Sequence, residues 1–169
     1  MTPDLTPVSD EAALKRAYSC FPTGVVAVCR RTGEGDVGMS ASSFATVSLE
    51  PALVSVCVRD ESSTWPLLRS ADRLGVSVFA AHQGDECRRL AGPTKSRFED
   101  VHRSATPSGA LFLAGAAAHL ECSVLQEVPA GDHRVVLLRI HALSSDPNVE
   151  PLVFHASTFR ALEARRARS

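Results

Sequence analysis

The sequence predicts a mainly β protein with short α-helices, folded as an antiparallel barrel or sandwich. About seven runs of β-branched and apolar residues, each of strand length, follow one another along the 169 residues. Most connections between these runs are short and rich in glycine, proline and polar residues, which favours turns between antiparallel strands over βαβ crossovers. A chain of this length buries roughly two thirds of its unfolded surface, so we expect one domain.

The first elements are predicted to be an arm, a helix and an antiparallel meander. Residues 1–17 contain the arm and the start of the helix, for which Ser9 suits the N-cap and Pro22 and Gly24 mark the end. The apolar positions of this helix recur at helical spacing: Leu14, Ala17, Tyr18 and Phe21. The meander follows as the strands 25–29 and 53–58, with a turn at 32–36 and a hydroxyl-rich segment at 38–51 between them.

The rest of the chain is predicted to alternate short helices with strands. The predicted elements are a helix near 61–71, a strand at 73–81, a helix at 85–93, a polar loop at 93–109, a hairpin of 116–128 and 133–143 with its turn at 129–132, and a strand at 152–155. A last helix is predicted from about Thr158. Its basic end, residues 161–169 with three arginines, suits a solvated helix terminus or a patch for a partner.

Composition excludes several classes of protein. Eighteen basic and 19 acidic residues are interspersed and give a net charge of -1, which argues against a nucleic-acid-binding surface. No apolar run is long enough to span a membrane, and the N-terminus lacks the pattern of a signal peptide. Five cysteines without a C-x-x-C pair indicate reduced thiols, so we expect a cytoplasmic protein.

The motifs of the common enzyme classes are absent from the sequence. There is no G-x-G-x-x-G, no P-loop, no G-x-S-x-G and no H-E-x-x-H. The six histidines show no ligand-like pairing, so no metal site is predicted. Cys29 and Cys57 lie within predicted strands, and Cys87, beside two arginines, is the least unsuitable thiol nucleophile.

A phosphate-binding site is the one chemical function that the residues themselves suggest. Strand-end hydroxyls, a helix N-terminus and a loop cation together suit a phosphate ester, although each is also common as a purely structural feature. The candidates are Ser40, Ser42, Ser43, Thr46 and Ser48, then Ser62, Ser63 and Thr64, and finally Lys95 and Arg97. His133 at the predicted hairpin tip is either a turn residue or a site residue.

Several short segments of the sequence, in order, resemble the motifs of the short-chain flavin reductases. These segments are FPTGVVAV from residue 21, GMSASSFATVSLEPALVSVCV from residue 38, SSTWPLL from residue 62, RFEDV from residue 97, GDH from residue 131 and PLVFH from residue 151. Members of this family are the reductase components of two-component flavin-dependent monooxygenases. The resemblance implies an FMN-binding split β-barrel over residues 18–160 that forms a homodimer.

The resemblance also implies roles for individual residues. Flavin contacts map to Ser40, Ala41, Ser42 and Ser43, with Ser48 a further candidate in the same segment, and Ser62, Ser63, Thr64 and Arg97 would hold the phosphate with Phe98 packed nearby. His133, Phe154 and His155 would place the nicotinamide. Since the hydride chemistry belongs to the flavin, no acid–base pair is required.

The expected activity is oxidation of NADH, or of NADPH, with release of reduced FMN or FAD to a separate monooxygenase. NADH is favoured because nothing in the sequence marks a site for the 2′-phosphate of NADPH. A non-catalytic FMN-binding protein of the same fold, acting as a sensor or an electron carrier, is the alternative.

Overall fold

The computed structural model describes residues 5, 7–8 and 10–163, and this part of the chain is mainly β. Its helices are α1 (Glu11–Ser19), α2 (Trp65–Arg69) and α3 (Gly84–Ala91), with a short 3-10 helix at Thr94–Ser96. Its strands are β1 (Thr23–Gly24), β2 (Val26–Thr32), β3 (Gly35–Ala41), β4 (Ala45–Leu49), β5 (Ala52–Arg59), β6 (Leu74–Val78), β7 (Arg103–Ala105), β8 (Leu111–Leu113), β9 (Ala118–Ala130), β10 (His133–Ser145), β11 (Val153–His155) and β12 (Thr158–Arg160). The mainly β prediction is confirmed.

One seven-stranded antiparallel sheet organises the fold. Its strand order is β3-β2-β6-β9-β10-β5-β4, so the edge strands β3 and β4 are neighbours in the sequence. Two smaller sheets accompany it, one of β1, β11 and β12 and the other of β7 and β8. The long hairpin of β9 and β10 lies at the centre of the large sheet and has its tip at Gly131 and Asp132. Gly131 has a φ of 69°, a value that suits glycine at the first central position of a two-residue hairpin turn.

The link between β3 and β4 requires the large sheet to be strongly curled. Six spacings of roughly 4.8 Å would separate the edge strands of a flat sheet by about 29 Å. Ala41 and Ala45 are joined by only residues 42–44, and four residue steps reach at most roughly 14 Å. The sheet therefore bends until its two edges come close, and residues 42–44 cross the remaining gap.

Ser43 fixes this crossing to strand β5. Its Oγ donates to the carbonyl oxygen of Cys57 at 3.1 Å and accepts from the Cys57 amide at 2.8 Å. Ala45 pairs with Ser55, so Ser43 faces Cys57 in the same register. The serine side chain thus takes the place of a backbone partner where β4 has not yet begun.

The core has two layers that lie on opposite faces of β2. Val26 and Val28 pack inside the curl with β5, β6 and β10, and Trp65 and Leu68 of α2 join this inner layer. The outer layer contains Val25, Ala27, Cys29, Phe79, Cys87, Leu90, Val101, Leu111, Leu113 and Leu152. Helix α3 and the β7–β8 hairpin therefore cover the outside of β2, which explains why the first four residues of β2 are all apolar and buried.

A largely buried carboxylate ties the hairpin to helix α2. Glu127 of β9, with a side chain 12% exposed, accepts from Trp65 Nε1 at 3.2 Å and pairs with Arg69 Nε at 3.0 Å. Arg134 of β10 bonds Glu127 at 2.8 Å and also bonds Asp60, which follows β5. Helix α2, the end of β5 and the hairpin are consequently held in one charged network.

A second network fixes the polar loop that precedes β7. Arg31 and Arg103 both pair with Asp36, and the hydrogen bond from Arg31 is the main reason why the pKa of Asp36 lies below its ordinary value. Arg103 also donates to the carbonyl oxygens of Phe98 and Val101, and its guanidinium lies 4.9 Å from the centre of the Phe98 ring. The loop predicted to be irregular at 93–109 instead contains the short 3-10 helix and β7, and Arg103 anchors it to β3.

Two helix predictions need correction. Helix α1 is present, but its cap is Asp10, which accepts from the Ala13 amide at 2.6 Å, and it ends at Ser19, so Phe21 is not helical. Ser9 lies outside the described residues. The helix predicted from about Thr158 is wrong, because Ala156 and Ser157 adopt φ values of 49° and 58° and return the chain as β12 against β11. Residues 161–163 are irregular, and 164–169 lie outside the described part.

Replacing Ser43 by alanine is expected to lower the free energy of unfolding by roughly 1–3 kcal/mol, because it leaves a partly buried amide and carbonyl of Cys57 without a partner. Urea denaturation measures this change. Ser42→Ala is the matched control, since the neighbouring side chain is exposed and should change stability by less than about 0.5 kcal/mol. Equal stability of the two variants would contradict the role given to the Ser43 hydroxyl.

Candidate functional site

A cleft of about 500 Å³ opens where residues 42–44 cross from β3 to β4. It is bounded by the end of β3, the end of β5, the start of α2, the end of α3, Arg97 and the hairpin tip. The residues that line it are Met39, Ser40, Ala41, Ser42, Ser43, Cys57, Val58, Arg59, Ser62, Thr64, Leu90, Ala91, Arg97 and His133. Eight residues that were predicted from the sequence as site residues are among them: Ser40, Ala41, Ser42, Ser43, Ser62, Thr64, Arg97 and His133.

Arg97 is held rigidly at one end of the cleft. Its Nε donates to the carbonyl oxygen of Gly92 at 2.8 Å, and its Nη1 donates to the carbonyl oxygen of Gly38 at 2.8 Å and to Thr64 Oγ1 at 2.7 Å. The Nη2 group has no hydrogen-bond partner among the described residues. The structure thus fixes a permanent positive charge, with a free donor, beside the start of α2.

The hydroxyls around Arg97 differ in what they already bind. Thr64 is buried at the N-cap of α2, accepts from Arg97 and makes no capping bond, so its hydroxyl proton is free to donate. Ser62 accepts from the Trp65 amide at 3.1 Å and caps the helix instead. Ser63 is exposed and does not line the cleft. The predicted phosphate contacts therefore reduce, by position, to Ser62, Thr64 and Arg97.

His133 faces the cleft from the hairpin tip. Its Nδ1 lies 2.8 Å from Asp132 Oδ1, and the hydrogen bond from this histidine is the main cause that lowers the pKa of Asp132. The ionised carboxylate can only accept a hydrogen bond, so Nδ1–H is the donor and Nε2 remains available to a ligand. The His133 side chain is 34% exposed, so a ligand in the cleft can reach it.

Five predicted site residues lie elsewhere. Ser48 is in β4 beyond the lining of the cleft, and Ser63 is at the surface. Phe98 packs against Gly38, where an added Cβ would lie 2.8 Å from the Phe98 ring, and so supports the loop from outside the cleft. Phe154 and His155 line a second cavity of about 540 Å³ beside α1, which shares Ser42 with the cleft.

Residues 18–163 match the family described as the flavin reductase like domain. The chain belongs to this family. The match includes every predicted site residue and confirms the resemblance that the sequence motifs carry.

The individual relatives of this flavin reductase-like chain are also named as flavin reductases or as reductase subunits. The reductase subunit of stachydrine N-demethylase from Rhizobium meliloti (strain 1021) is 33% identical over 82% of the chain, and the chain spans 60% of that relative's length. The chain also spans only 45% of a probable flavin reductase from the same organism. The reductase subunit of a flavin-dependent monooxygenase from Rhodococcus jostii (strain RHA1) is 31% identical over 91% of the chain and 79% of its own length.

A solved structure matches the whole fold. The NADH:FAD oxidoreductase of Streptomyces globisporus C-1027, in complex with NAD and FAD fragments, superposes with a TM-score of 0.89 at 33% identity. The superposition covers 98% of this chain and 100% of the other. The arrangement of strands and helices described above is therefore that of a known flavin reductase structure.

Sequence reasoning missed part of the cleft of this flavin reductase-like chain. Cys57, Val58 and Arg59 come from the end of β5, and Leu90 and Ala91 come from the end of α3. In the sequence these residues are ordinary strand and helix positions. Only the curl of the sheet brings the end of β5 close to the end of α3. No local signal in the sequence marks them.

The described part of the chain shows no cluster of potential metal ligands, and the Cys87 thiol is not activated. No group of three or more potential ligands among His, Cys, Asp and Glu occurs among the described residues. Burial raises the pKa of the Cys87 thiol to about 11 despite a hydrogen bond with Ser40 and the nearby Arg88. All five cysteines are free thiols. No helix among the described residues is long and apolar enough to cross a bilayer.

Proposed function

We propose that this chain is an NAD(P)H-dependent flavin reductase that delivers free reduced flavin to a separate monooxygenase. The observation that carries the proposal is the cleft in which Thr64 and the fixed guanidinium of Arg97 lie at one side and the available Nε2 of His133 also faces the cavity. One cavity thus offers groups for a phosphate and a group for an amide-bearing ring.

The phosphate of the flavin would bind between Thr64 and Arg97. A phosphate is negatively charged at neutral pH and accepts hydrogen bonds. This part of the cleft supplies a hydroxyl, a guanidinium and the start of a helix. Arg97 needs no rearrangement to bind, because its carbonyl partners at Gly38 and Gly92 already fix its plane. Such pre-organisation reduces the entropy lost on binding.

The isoalloxazine ring would lie along the strand-end segment. Ser40, Ala41 and Ser42 would contact it through backbone groups and hydroxyls, whereas the Ser43 hydroxyl is already committed to Cys57. A bound flavin supplies the hydride-accepting ring, and the task of the chain is to align a nicotinamide against it. His133 would hold the nicotinamide through Nε2, oriented by Asp132.

The partner of this reductase would be a monooxygenase that takes reduced flavin by diffusion. Two relatives are named as reductase subunits, one of a stachydrine N-demethylase and one of a flavin-dependent monooxygenase. The cleft also has exposed walls, including Ser42, Arg59 and Ala91, which suit a flavin that enters and leaves. We place the reaction in the cytoplasm, since all five thiols are free.

The fold would be a split barrel that works as a homodimer. Support comes from apolar surface that a monomer would leave in water: no residue of α1 is buried, and the edge strand β4 presents Val47 and Leu49, the latter 98% exposed. Exposed apolar residues on an edge strand are typical of an interface.

Steady-state oxidation of NADH and of NADPH by the purified protein, with added FMN, FAD or riboflavin, tests the proposed function. Saturable dependence of the rate on added flavin is expected, with NADH preferred. Flavin binding without nicotinamide oxidation would contradict the proposal and favour a flavin sensor or electron carrier.

Thr64→Val is expected to weaken FMN binding by at least about tenfold, because it removes a hydroxyl that bonds Arg97 and faces the phosphate. Quenching of FMN fluorescence gives the Kd. Ser63→Ala is the control, since this neighbouring hydroxyl is exposed outside the cleft. An unchanged Kd in the Thr64 variant would remove the phosphate from this end of the cleft.

His133→Ala is expected to raise the KM for NADH by about tenfold, the loss of one hydrogen bond, and to change the KM for FMN much less. His141→Ala, the same change further along β10 at an exposed position, serves as the control. If both variants show the nicotinamide dependence of the parent protein, His133 has no part in the site.

Light scattering coupled to gel filtration is expected to give twice the chain mass of 18.0 kDa. A fully active monomer would contradict the proposed dimer and leave the apolar surface of α1 and β4 without an explanation.

A further inference from the structure

Arg59 lines the main cleft but takes no part in the proposed binding of the flavin phosphate or of the nicotinamide. Its side chain is exposed, and it makes no hydrogen bond or ion pair with any described residue. Only Arg59 and Arg97 carry a permanent charge among the residues that line the cleft. The cleft therefore contains a second guanidinium whose donors are not used by the protein.

The position of Arg59 links it to both ends of the cleft. It lies directly opposite His133 in the pairing of β5 with β10, so the two side chains share one face of the sheet. Arg59 also begins a turn, in which its carbonyl oxygen accepts from the Ser62 amide at 3.1 Å. Such a turn keeps the Cα atoms of its first and last residues within about 7 Å of each other. The Arg59 side chain can therefore reach an anion next to the phosphate end of the cleft, where Ser62 and Thr64 lie.

The carboxylates around Arg59 leave its donors available. Asp60, the next residue, is bound by Arg134, whose Nη2 lies 2.6 Å from Asp60 Oδ1. Asp132 and Glu11 attract the charge of Arg59 from a distance, but each is exposed and is already bonded to another basic side chain. The Arg59 guanidinium can thus bind an incoming anion without breaking a contact of the protein, and its planar donors suit a phosphate.

Two substrates of a flavin reductase carry a diphosphate, namely FAD and NADH. The second phosphate of FAD shares an oxygen atom with the first, so it must lie next to the site of Thr64 and Arg97. The diphosphate of NADH is separated from the nicotinamide by a ribose. Phe154 and His155, predicted to contact the nicotinamide half, line a second cavity that does not include Arg59. The position of Arg59 therefore favours FAD as the source of the anion.

We propose that Arg59 binds the second phosphate of FAD and makes this cleft prefer FAD to FMN. The proposal rests on the proposed function, because it extends the flavin phosphate site at Thr64 and Arg97. FMN would use only the Arg97 end, whereas the diphosphate of FAD would bridge the two arginines. Because Arg59 is exposed, the adenosine beyond it needs no enclosed pocket. One side chain would thus determine which of the two flavins is the better substrate.

Titration calorimetry with FAD and with FMN, in the absence of a nicotinamide nucleotide, tests the assignment. The parent protein is expected to bind FAD more tightly than FMN. Arg59→Gln is expected to raise the Kd for FAD about tenfold, the loss of one hydrogen bond between charged groups, and to raise the Kd for FMN less than about threefold. Arg59→Lys keeps the charge without the planar donors and should restore part of the affinity for FAD. The preference for FAD should also decrease as the salt concentration rises.

Arg139→Gln is the matched control for Arg59→Gln. It removes the same charge from an exposed position of β10 that does not line the cleft, so it should leave the Kd values for both flavins unchanged. A second control uses FMN as the electron acceptor in steady-state assays. Arg59→Gln should leave the KM for NADH unchanged there, because the proposal gives Arg59 no contact with the nicotinamide nucleotide.

The role of Arg59 and the proposed activity can fail separately. A loss of affinity confined to FAD, in a protein that does not oxidise NADH, would refute the activity and support the role of Arg59. An active Arg59→Gln variant with the same ratio of FAD to FMN affinity as the parent would overturn the role of Arg59 alone, and equal losses for the two flavins would do the same. A raised KM for NADH with unchanged affinity for FAD would instead assign Arg59 to the diphosphate of NADH and overturn the proposal.

Discussion

The three-residue connection between the two edges of the large sheet is the constraint on which the rest of the structure depends. Because residues 42–44 must reach from β3 to β4, the sheet cannot be flat, and its curl encloses the inner core of Val26, Val28 and their neighbours. The same crossing leaves Ser42 exposed at the seam, while Ser43 replaces a missing backbone partner of Cys57. The cleft is the opening that remains at this seam.

The groups around the seam are fixed by contacts made outside it. The pairing of Arg103 with Asp36 and with the Phe98 ring holds the loop from which Arg97 projects, and Phe98 fits only because β3 has glycine at position 38. The cleft therefore combines rigid charged groups with an open wall. This cleft belongs to a chain of the flavin reductase-like family.

The sequence predicted β2, β5, β6, the long hairpin of β9 and β10, β11 and two of the three helices closely, since each is determined by a local run of apolar residues and by its own turn. It did not predict β3 and β4, which lie in the segments assigned to a turn and to hydroxyl-rich residues, or β7 and β8. It could not predict β12, because the left-handed turn at Ala156 and Ser157 contains neither glycine nor asparagine to signal it. Only some of the predicted site residues line the cleft, because local sequence does not determine which way each side chain faces. Hydroxyls that are adjacent in sequence point to different surroundings, so Thr64 is buried beside Arg97 whereas Ser63 is in solvent, and the contributions of β5 and α3 depend on the curl alone.

The charged network around Glu127 limits how far helix α2 and the β9–β10 hairpin can move relative to each other. One carboxylate holds α2 through Trp65 and Arg69 and holds the hairpin through Arg134. The element that carries Thr64 and the element that carries His133 therefore share a common anchor and cannot drift apart independently. A substitution at one end of the cleft that spares Glu127 therefore leaves the anchor of the other end intact.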